Sequence, residues 1–348
     1  MPVKAIALLS GGLDSTLAVK MMLDQGIEVV ALNFMTPFCN CTARTSSCKH
    51  EALRVAREFG IPIRVRYKGM EYLKIVEKPR HGYGRGLNPC IDCRIFMHRQ
   101  ARELMEEEGA RFIVTGEVLG QRPMSQRRPV LKLIEKESGT EGLVLRPLSA
   151  HLFEPTVAER EGWVDRSKLL AIRGRSRREQ MRLAEELGVT DYPCPAGGCL
   201  LTDPEFAARL KDLFENKPGY DLRDVRLLRT GRHFRIRPGL KVVVGRNQAE
   251  NQGLERGLTD GDRILKGADF AGPHALLRDE PSEEDLRTVG RILLRYAHRE
   301  RGVVEVRRGH ERLTVPVEGP LSDEELARMR IAARAAEPRP AARLTANG

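Results

Sequence analysis

The sequence predicts an α/β protein, a doubly wound and mostly parallel sheet followed by a smaller α+β domain. Three observations predict it. Short apolar runs alternate with helical spacings through the first half, as in sheets covered on both faces. A glycine-rich turn, Ser10-Gly11-Gly12-Leu13-Asp14-Ser15-Thr16, separates the first apolar run from the first helical one. Past about residue 205 this alternation gives way to short strands in series.

Each element has its own signal. Lys4-Ala5-Ile6-Ala7-Leu8-Leu9 is a buried-strand run that ends at two glycines, and helical spacing follows through Leu17, Met21 and Met22 until Gly26. Residues 27–34 form a second strand, 50–59 a helix, 61–67 a third strand, 95–107 a helix and 111–115 a fourth strand. Ligands of such sheets sit beyond the carboxyl ends of the strands. The Ser10 loop, the Cys39 segment, the stretch before Cys90 and Gly116-Glu117 all fall at such ends or just after them. A first domain is expected over 1–205 and a second over 206–335, with a disordered tail rich in Ala, Pro and Arg over 336–348. Strands are expected at 225–228, 233–236 and 241–244, and helices at 247–258 and 282–299. A strand pair at 303–308 and 312–317 precedes a charged helix from Ser322. No internal repeat is present.

The 348 residues suit two domains. Charged residues make up 31% and hydrophobic ones 41%, as in a soluble globular protein. No apolar run approaches membrane-spanning length, and the stretch 5–9 is too short for a signal peptide. The cytoplasm is therefore expected, with no membrane partner. Lysine and arginine number 59 against 48 acids, a net charge of +11 that favours a polyanionic partner. Aromatic residues, at 5%, are too few for a stacking platform for single strands. The seven cysteines are clustered and odd in number, which points to metal ligands or reactive thiols rather than disulfides.

The loop between strand and helix can bind an anion. Gly11 and Gly12 permit positive φ and close backbone approach, and Ser15, Thr16 and the helix N-terminus supply donors. It is not a Walker loop, because no Gly-Lys-Ser/Thr follows. It resembles the PP-loop of the ATP pyrophosphatases, whose domain is of the adenine nucleotide alpha-hydrolase type and whose members adenylylate a substrate and release pyrophosphate. The resemblance implies ATP on Ser10, Gly11, Gly12, Ser15 and Thr16, with Asp14 catalytic and helping to hold Mg²⁺. It also implies the adenine against backbone near Asn33 and Phe34.

Two further segments narrow the family. Thr115-Gly116-Glu117-Val118-Leu119-Gly120-Gln121, with Ser125-Gln126 and then Leu145-Arg146-Pro147-Leu148, resembles the signature of tRNA 4-thiouridine synthetases. Their THUMP-containing and rhodanese parts have no counterpart in this sequence. The resemblance implies that Gly116, Gln121 and Gln126 line the nucleotide and base pocket. Asn88-Pro89-Cys90-Ile91-Asp92-Cys93, with Gly197-Gly198-Cys199, resembles segments of tRNA 2-thiouridylases, in which cysteines relay a persulfide or hold an iron–sulfur cluster. Cys93 and Cys199 take the catalytic cysteine positions.

Three soft thiolates, Cys90, Cys93 and Cys199, suit a [4Fe–4S] cluster with one open iron, which the resemblance to short rhodanese-free thiolases also implies. Structural Zn²⁺ and a plain persulfide pair remain alternatives. Cys39, Cys41 and Cys48, with His50 nearby, could form a second zinc site or be small buried residues with one reactive thiol. Cys194 reads equally well as a bystander.

Seven basic residues, Arg166, Lys168, Arg173, Arg175, Arg177, Arg178 and Arg182, form a loop entering a helix, expected to touch phosphate. Arg122, Arg127 and Arg128 make a second cluster beside the expected base pocket. Val244-Gly245-Arg246-Asn247, Glu250-Asn251, Leu254, Gly261-Asp262, Gly272-Pro273-His274-Ala275 and Glu283-Glu284-Asp285-Leu286 resemble the NFACT-R domain, an RNA-binding module.

The expected function is an ATP-dependent tRNA sulfurtransferase, partnered by tRNA and by sulfide or a sulfur donor protein. The sequence leaves the oligomeric state open, a homodimer included. Two rivals stand. One is a small-molecule PP-loop ligase of the 7-deazaguanine nitrile synthase type with structural zinc, and the other an ATP-gated RNA-binding protein without catalysis.

Overall fold

The computed structural model describes residues 2–39, 48–189, 192 and 199–333, with the side chains of Cys48 and Lys49 left out. Cys41, Cys194, Gly197, Gly198 and the tail from 336 therefore lie outside the described residues. The chain divides into two compact units, Met1–Thr202 and Asp203–Gly348.

The first unit runs β1 (Lys4–Leu8), α1 (Leu13–Leu23), β2 (Glu28–Met35), α2 (Cys48–Glu58), β3 (Ile63–Tyr67), α3 (Met70–Glu77) and α4 (Cys90–Glu107). It continues with β4 (Phe112–Thr115), α5 (Arg128–Ser138), β5 (Val144–Leu145), α6 (Val157–Arg160) and α7 (Arg178–Glu186). The strands form one parallel sheet in the order β3-β2-β1-β4-β5. Alternate residues of each strand enter opposite cores. Ala5, Ala7, Val29, Ala31, Phe112 and Val114 pack with α1 and α7, whereas Ile6, Leu8, Val30, Leu32 and Ile113 pack with Ala101 and Leu104 of α4. Burial on both faces explains why these strands read as continuous apolar runs.

The chain leaves β1 toward β2 on one side and returns on the other as β4. The strand order therefore reverses between β1 and β4, where open α/β sheets bind ligands. Two glycines make this crevice possible. Gly11 has φ +78°, and a Cβ there would lie 2.6 Å from the Cβ of Glu51. At Gly116, just past β4, a Cβ would lie 2.5 Å from the backbone carbonyl of Asp14. The turns after β1 and β4 therefore touch backbone to backbone.

One boundary differs from expectation. The helix expected from Ile95 begins at Cys90, immediately after Pro89, so Cys90 and Cys93 occupy its first turn. Pro89 lacks a backbone N–H, which costs nothing at a helix start. The side chain of Asp92 accepts the amides of Arg80 and His81 at 3.1 Å each, anchoring the preceding loop to the helix.

The second unit begins with α8 (Pro204–Asn216) and α9 (Leu222–Leu227). Then come β6 (Arg232–Arg237), β7 (Leu240–Val244), α10 (Gln248–Arg256), β8 (Arg263–Gly267), β9 (Ala275–Leu277), α11 (Glu283–Ala297), β10 (Arg301–Arg308), β11 (Glu311–Glu318) and α12 (Asp323–Met329). Its six strands form an antiparallel sheet in the order β11-β10-β8-β9-β7-β6. One face packs on α11 and α12, and Val243, Ile264 and Leu276 on the other face pack on Leu254 of α10. The strand expected at 225–228 is instead the end of α9. Asp221 accepts the amides of Arg223 and Asp224, and Asp224 accepts that of Asp221 at 3.0 Å. This capping box starts a helix where the apolar spacing alone suggested a strand.

Candidate active site

The PP-loop is held by its own hydroxyls. Ser15 Oγ donates to the Gly12 carbonyl at 2.9 Å and lies 3.1 Å from Ser10 Oγ, while Thr16 Oγ1 donates to the same carbonyl at 3.2 Å. Gly12 caps α1 without a side-chain acceptor, so the first-turn amides of the helix face the crevice. Free amides at a helix N-terminus form an anion site.

Asp14, in that first turn, is reached from far along the chain. Its Oδ2 accepts from Gln121 Nε2 at 3.1 Å and from Arg177 Nη2 at 3.3 Å. Its Oδ1 is buried with no hydrogen-bond partner among the described residues. An orphaned, buried carboxylate oxygen beside a phosphate cradle fits a Mg²⁺ ligand. Arg177 belongs to the basic run that the sequence offered as a phosphate-contacting surface, but it faces the PP-loop. Arg166 of that run is also engaged within its own unit, pairing with Glu159 and donating to the Phe153 carbonyl.

Asn33 and Phe34 end β2 beside the loop. Asn33 Nδ2 donates to the Leu9 carbonyl at 2.8 Å, and its buried Oδ1 has no partner among the described residues. The Phe34 ring turns toward Phe96, at 6.5 Å between centroids. Gln126 is buried and shapes the loop from within. Its Oε1 accepts the Arg122 amide at 2.9 Å, and its carbonyl accepts the Gly120 amide at 2.7 Å.

Cys39, Cys90, Cys93 and Cys199 are half-buried, and the last three carry free thiols. Cys39 and Cys199 pair as an isolated antiparallel bridge, so the first residue of the Cys39 group lies beside Cys199. The sequence had treated these as separate groups. Lys68, which sequence reasoning missed, places Nζ 3.0 Å from Cys93 Sγ. It is 5% exposed and lies 4.7 Å over the Tyr72 ring and 5.4 Å over that of Phe34. Its only sequence signal is its position directly after β3, at a strand's carboxyl end.

The electrostatics differ among the thiols. Burial pushes Cys93 up, but the Lys68 ammonium, hydrogen bonds from Tyr72 and Lys68, and the charge of Arg94 outweigh it, so its pKa is lowered. Burial raises Cys90, helped by Cys93, and pushes Cys199 up to about 11. Cys93 is thus the thiol favoured as thiolate. Three such donors are chemically suited to iron or zinc. Among the described residues, however, no three His, Cys, Asp or Glu side chains are gathered so as to hold a metal ion.

Arg122 is half-surrounded by other charged groups. Burial and the neighbouring Arg94 lower its pKa, while Cys90 and Asp14 oppose them and Arg177 adds to them. Beneath it lies a buried network built from the signature segments. Arg146 Nε donates to Glu117 Oε2 at 3.1 Å, and Arg94 Nη1 lies 3.4 Å from Glu117 Oε1. Burial raises Glu117, but Arg94 and Arg146 bring it down to about 2. His98 beside it is fully buried, and burial lowers it to about 4.

Residues 2–152 match the family described as thiamine biosynthesis protein (ThiI), and residues 231–329 match the NFACT protein RNA binding domain. The chain is similar to a probable tRNA sulfurtransferase of Methanothermobacter thermautotrophicus, at 33% identity over 42% of this chain and 36% of that one. It is likewise similar to a probable tRNA sulfurtransferase of Thermotoga maritima, at 34% identity over 42% of this chain and 36% of that one. A tRNA-specific 2-thiouridylase MnmA of Leptospira interrogans is 28% identical over 27% of this chain and 28% of its own length. The matched part is thus under two fifths of each relative. Over residues 2–152 the chain is thus similar to the ThiI family, and over residues 231–329 to the NFACT RNA binding domain, each match covering less than half of the chain.

Proposed function

We propose that this chain is an ATP-dependent tRNA sulfurtransferase that adenylylates a uridine and replaces its carbonyl oxygen with sulfur. The observation that carries the reading is the end of β2, where Asn33 bonds the Leu9 carbonyl beside the loop and Phe34 lies 5.4 Å from Lys68, the partner of Cys93. That neighbourhood suits a reaction in which an activated base meets sulfur without leaving the crevice.

ATP rests its phosphates on the amides after Gly12, and Asp14 Oδ1 would hold Mg²⁺, which would supply positive charge to the phosphates. Arg177, on the other carboxylate oxygen, adds its own positive charge beside the loop. The uridine carbonyl oxygen attacks the α-phosphorus and the bond to pyrophosphate breaks, with arginine charge stabilising the departing anion. Gln121 and the loop held by Gln126 border the base, and the adenine lies along the backbone at Asn33 and Phe34. Sulfur then attacks the adenylylated carbon, and AMP leaves with the former carbonyl oxygen. AMP is a far better leaving group than oxide, which is why adenylylation comes first.

Cys90, Cys93 and Cys199 are proposed to hold the sulfur source. Their count and softness support a [4Fe–4S] cluster, which when bound would offer an exogenous sulfide a resting place. The Lys68–Cys93 contact favours a second reading, a persulfide on Cys93. That route forms a disulfide with a second thiol as sulfur is released, and a reductant must reopen it. Iron and acid-labile sulfide assayed after anaerobic purification separate the two. The domain limits 1–205 and 206–335 belong to this proposal, the second domain gripping tRNA.

The test is pyrophosphate release with and without tRNA, followed by mass spectrometry of the tRNA nucleosides. Release stimulated by tRNA, with thiouridine formed, is expected. Release with a small molecule alone would instead support a PP-loop ligase, and no release at all an ATP-gated binder.

A further inference from the structure

The second unit carries a cationic stretch on the outer face of β10 and β11, with Arg312 exposed and Arg307 half-buried. Side chains alternate along these strands. Val304, Val306, Val315 and Val317 point into the core with α11, so Arg307, Glu305, Arg312 and Thr314 point outward. Arg307 and Arg312 are directly opposite each other in the antiparallel register. Like charges directly opposite on a sheet are destabilising.

The neighbouring rows show the contrast. Arg301 faces Glu318, Arg308 faces Glu311, and Lys266 of β8 faces Glu305 with 3.8 Å between charges. Of the β10–β11 rows only Arg307–Arg312 sets like charges opposite, and the like-charged Arg235–Lys241 row of β6–β7 shares the carboxylate of Asp212. Neither the Arg307 nor the Arg312 guanidinium has an ion pair or side-chain hydrogen bond among the described residues. Burial lowers the pKa of His274 at the side of this face, Glu255 opposes the shift, and Lys266 and Arg307 add to it.

We propose that Arg307 and Arg312, with Lys266 beside them, form a clamp for the phosphate backbone of RNA. This rests on the reading above that the second unit grips tRNA. Planar guanidiniums bind phosphate through paired N–H donors, and a phosphate between two of them removes their repulsion. No aromatic residue lies on the outward positions of β10 and β11, so bases have nothing to stack on. The contact is therefore to backbone, salt-dependent and indifferent to sequence.

The experiment uses the full chain, unmodified tRNA and fluorescence anisotropy across a salt series, with thermal melts in parallel. Arg312→Glu separates folding from binding because it converts the like-charge row to an opposite-charge pair. Its melting temperature should hold or rise while tRNA affinity falls about 10-fold and the salt slope drops by about 2. Arg307→Lys with Arg312→Lys should keep most of the affinity. A wild-type chain that binds tRNA beside an Arg312→Glu chain with the same affinity and slope overturns the clamp but leaves the function standing. A wild-type chain that binds no RNA overturns both. Competition by polyglutamate as strong as by RNA would replace the RNA with an acidic protein partner and overturn the proposal.

Discussion

At the scale of single residues, the site depends on side chains that do unlike things with similar chemistry. Gln121 and Gln126 come from one signature segment, yet one reaches Asp14 and the other holds the loop that carries it. Lys68 is buried against two aromatic rings with Cys93 as its sulfur partner. Lys68→Met should therefore leave tRNA-dependent pyrophosphate release within about 3-fold while lowering thiouridine formation about 100-fold, a loss typical of removing a placed charge. Parallel assays of the two products check it, and equal loss of both would place Lys68 outside sulfur handling. Gly116→Ala drives a methyl into the Asp14 backbone at 2.5 Å. Overpacking of this kind costs about 1–3 kcal/mol. The expected result is a lower melting temperature with ATP affinity reduced at least about 10-fold, read by calorimetry and nucleotide titration.

At the scale of elements, the buried ion network joins α4, the turn after β4 and the start of the loop after β5, through Arg94, Glu117 and Arg146. Its cost and benefit vary with pH. His98 drops from 6.5 to about 4 in the folded chain, so the unfolded chain binds more protons between those values. Stability from His98 is full above about 6.5 and lost as pH falls to 4, on the order of 3 kcal/mol. Glu117, lowered from 4.5 to about 2, adds a second loss between those values. Urea melts from pH 7 to 3 should show falling stability throughout. His98→Leu should flatten the upper part alone.

The same elements show what the sequence could reveal. The strands of the first unit were legible because burial on both faces makes them continuous apolar runs, and the PP-loop because its residues are contiguous. The start of α4 at Cys90 was hidden by Pro89, which reads as a breaker but here opens the helix. Residues 225–228 misled because the Asp221–Asp224 cap outweighs a short apolar run. Lys68 and the Arg177–Asp14 contact were invisible because each depends on a meeting between distant segments.

At the scale of the molecule, each unit has its own core: the parallel sheet with its two packed faces, and the antiparallel sheet around α11. The chemistry proposed here falls in Met1–Thr202 and the RNA clamp in Asp203–Gly348. A chain ending at Thr202 should retain Mg²⁺·ATP binding within about 3-fold and lose tRNA affinity about 10-fold or more. Nucleotide titration beside anisotropy checks this, and unchanged tRNA affinity would return RNA binding to the first unit.

The partners of Asp14 are 107 and 163 residues downstream of it. A ribosome adding about 5–20 residues per second takes roughly 10–30 s to pass from Asp14 to Arg177. The nascent chain therefore carries an exposed, incomplete PP-loop for that interval, and the loop acquires its arginine only when synthesis nears α7. A translation pause placed before Arg177 should lengthen the time during which the growing protein is vulnerable to proteases.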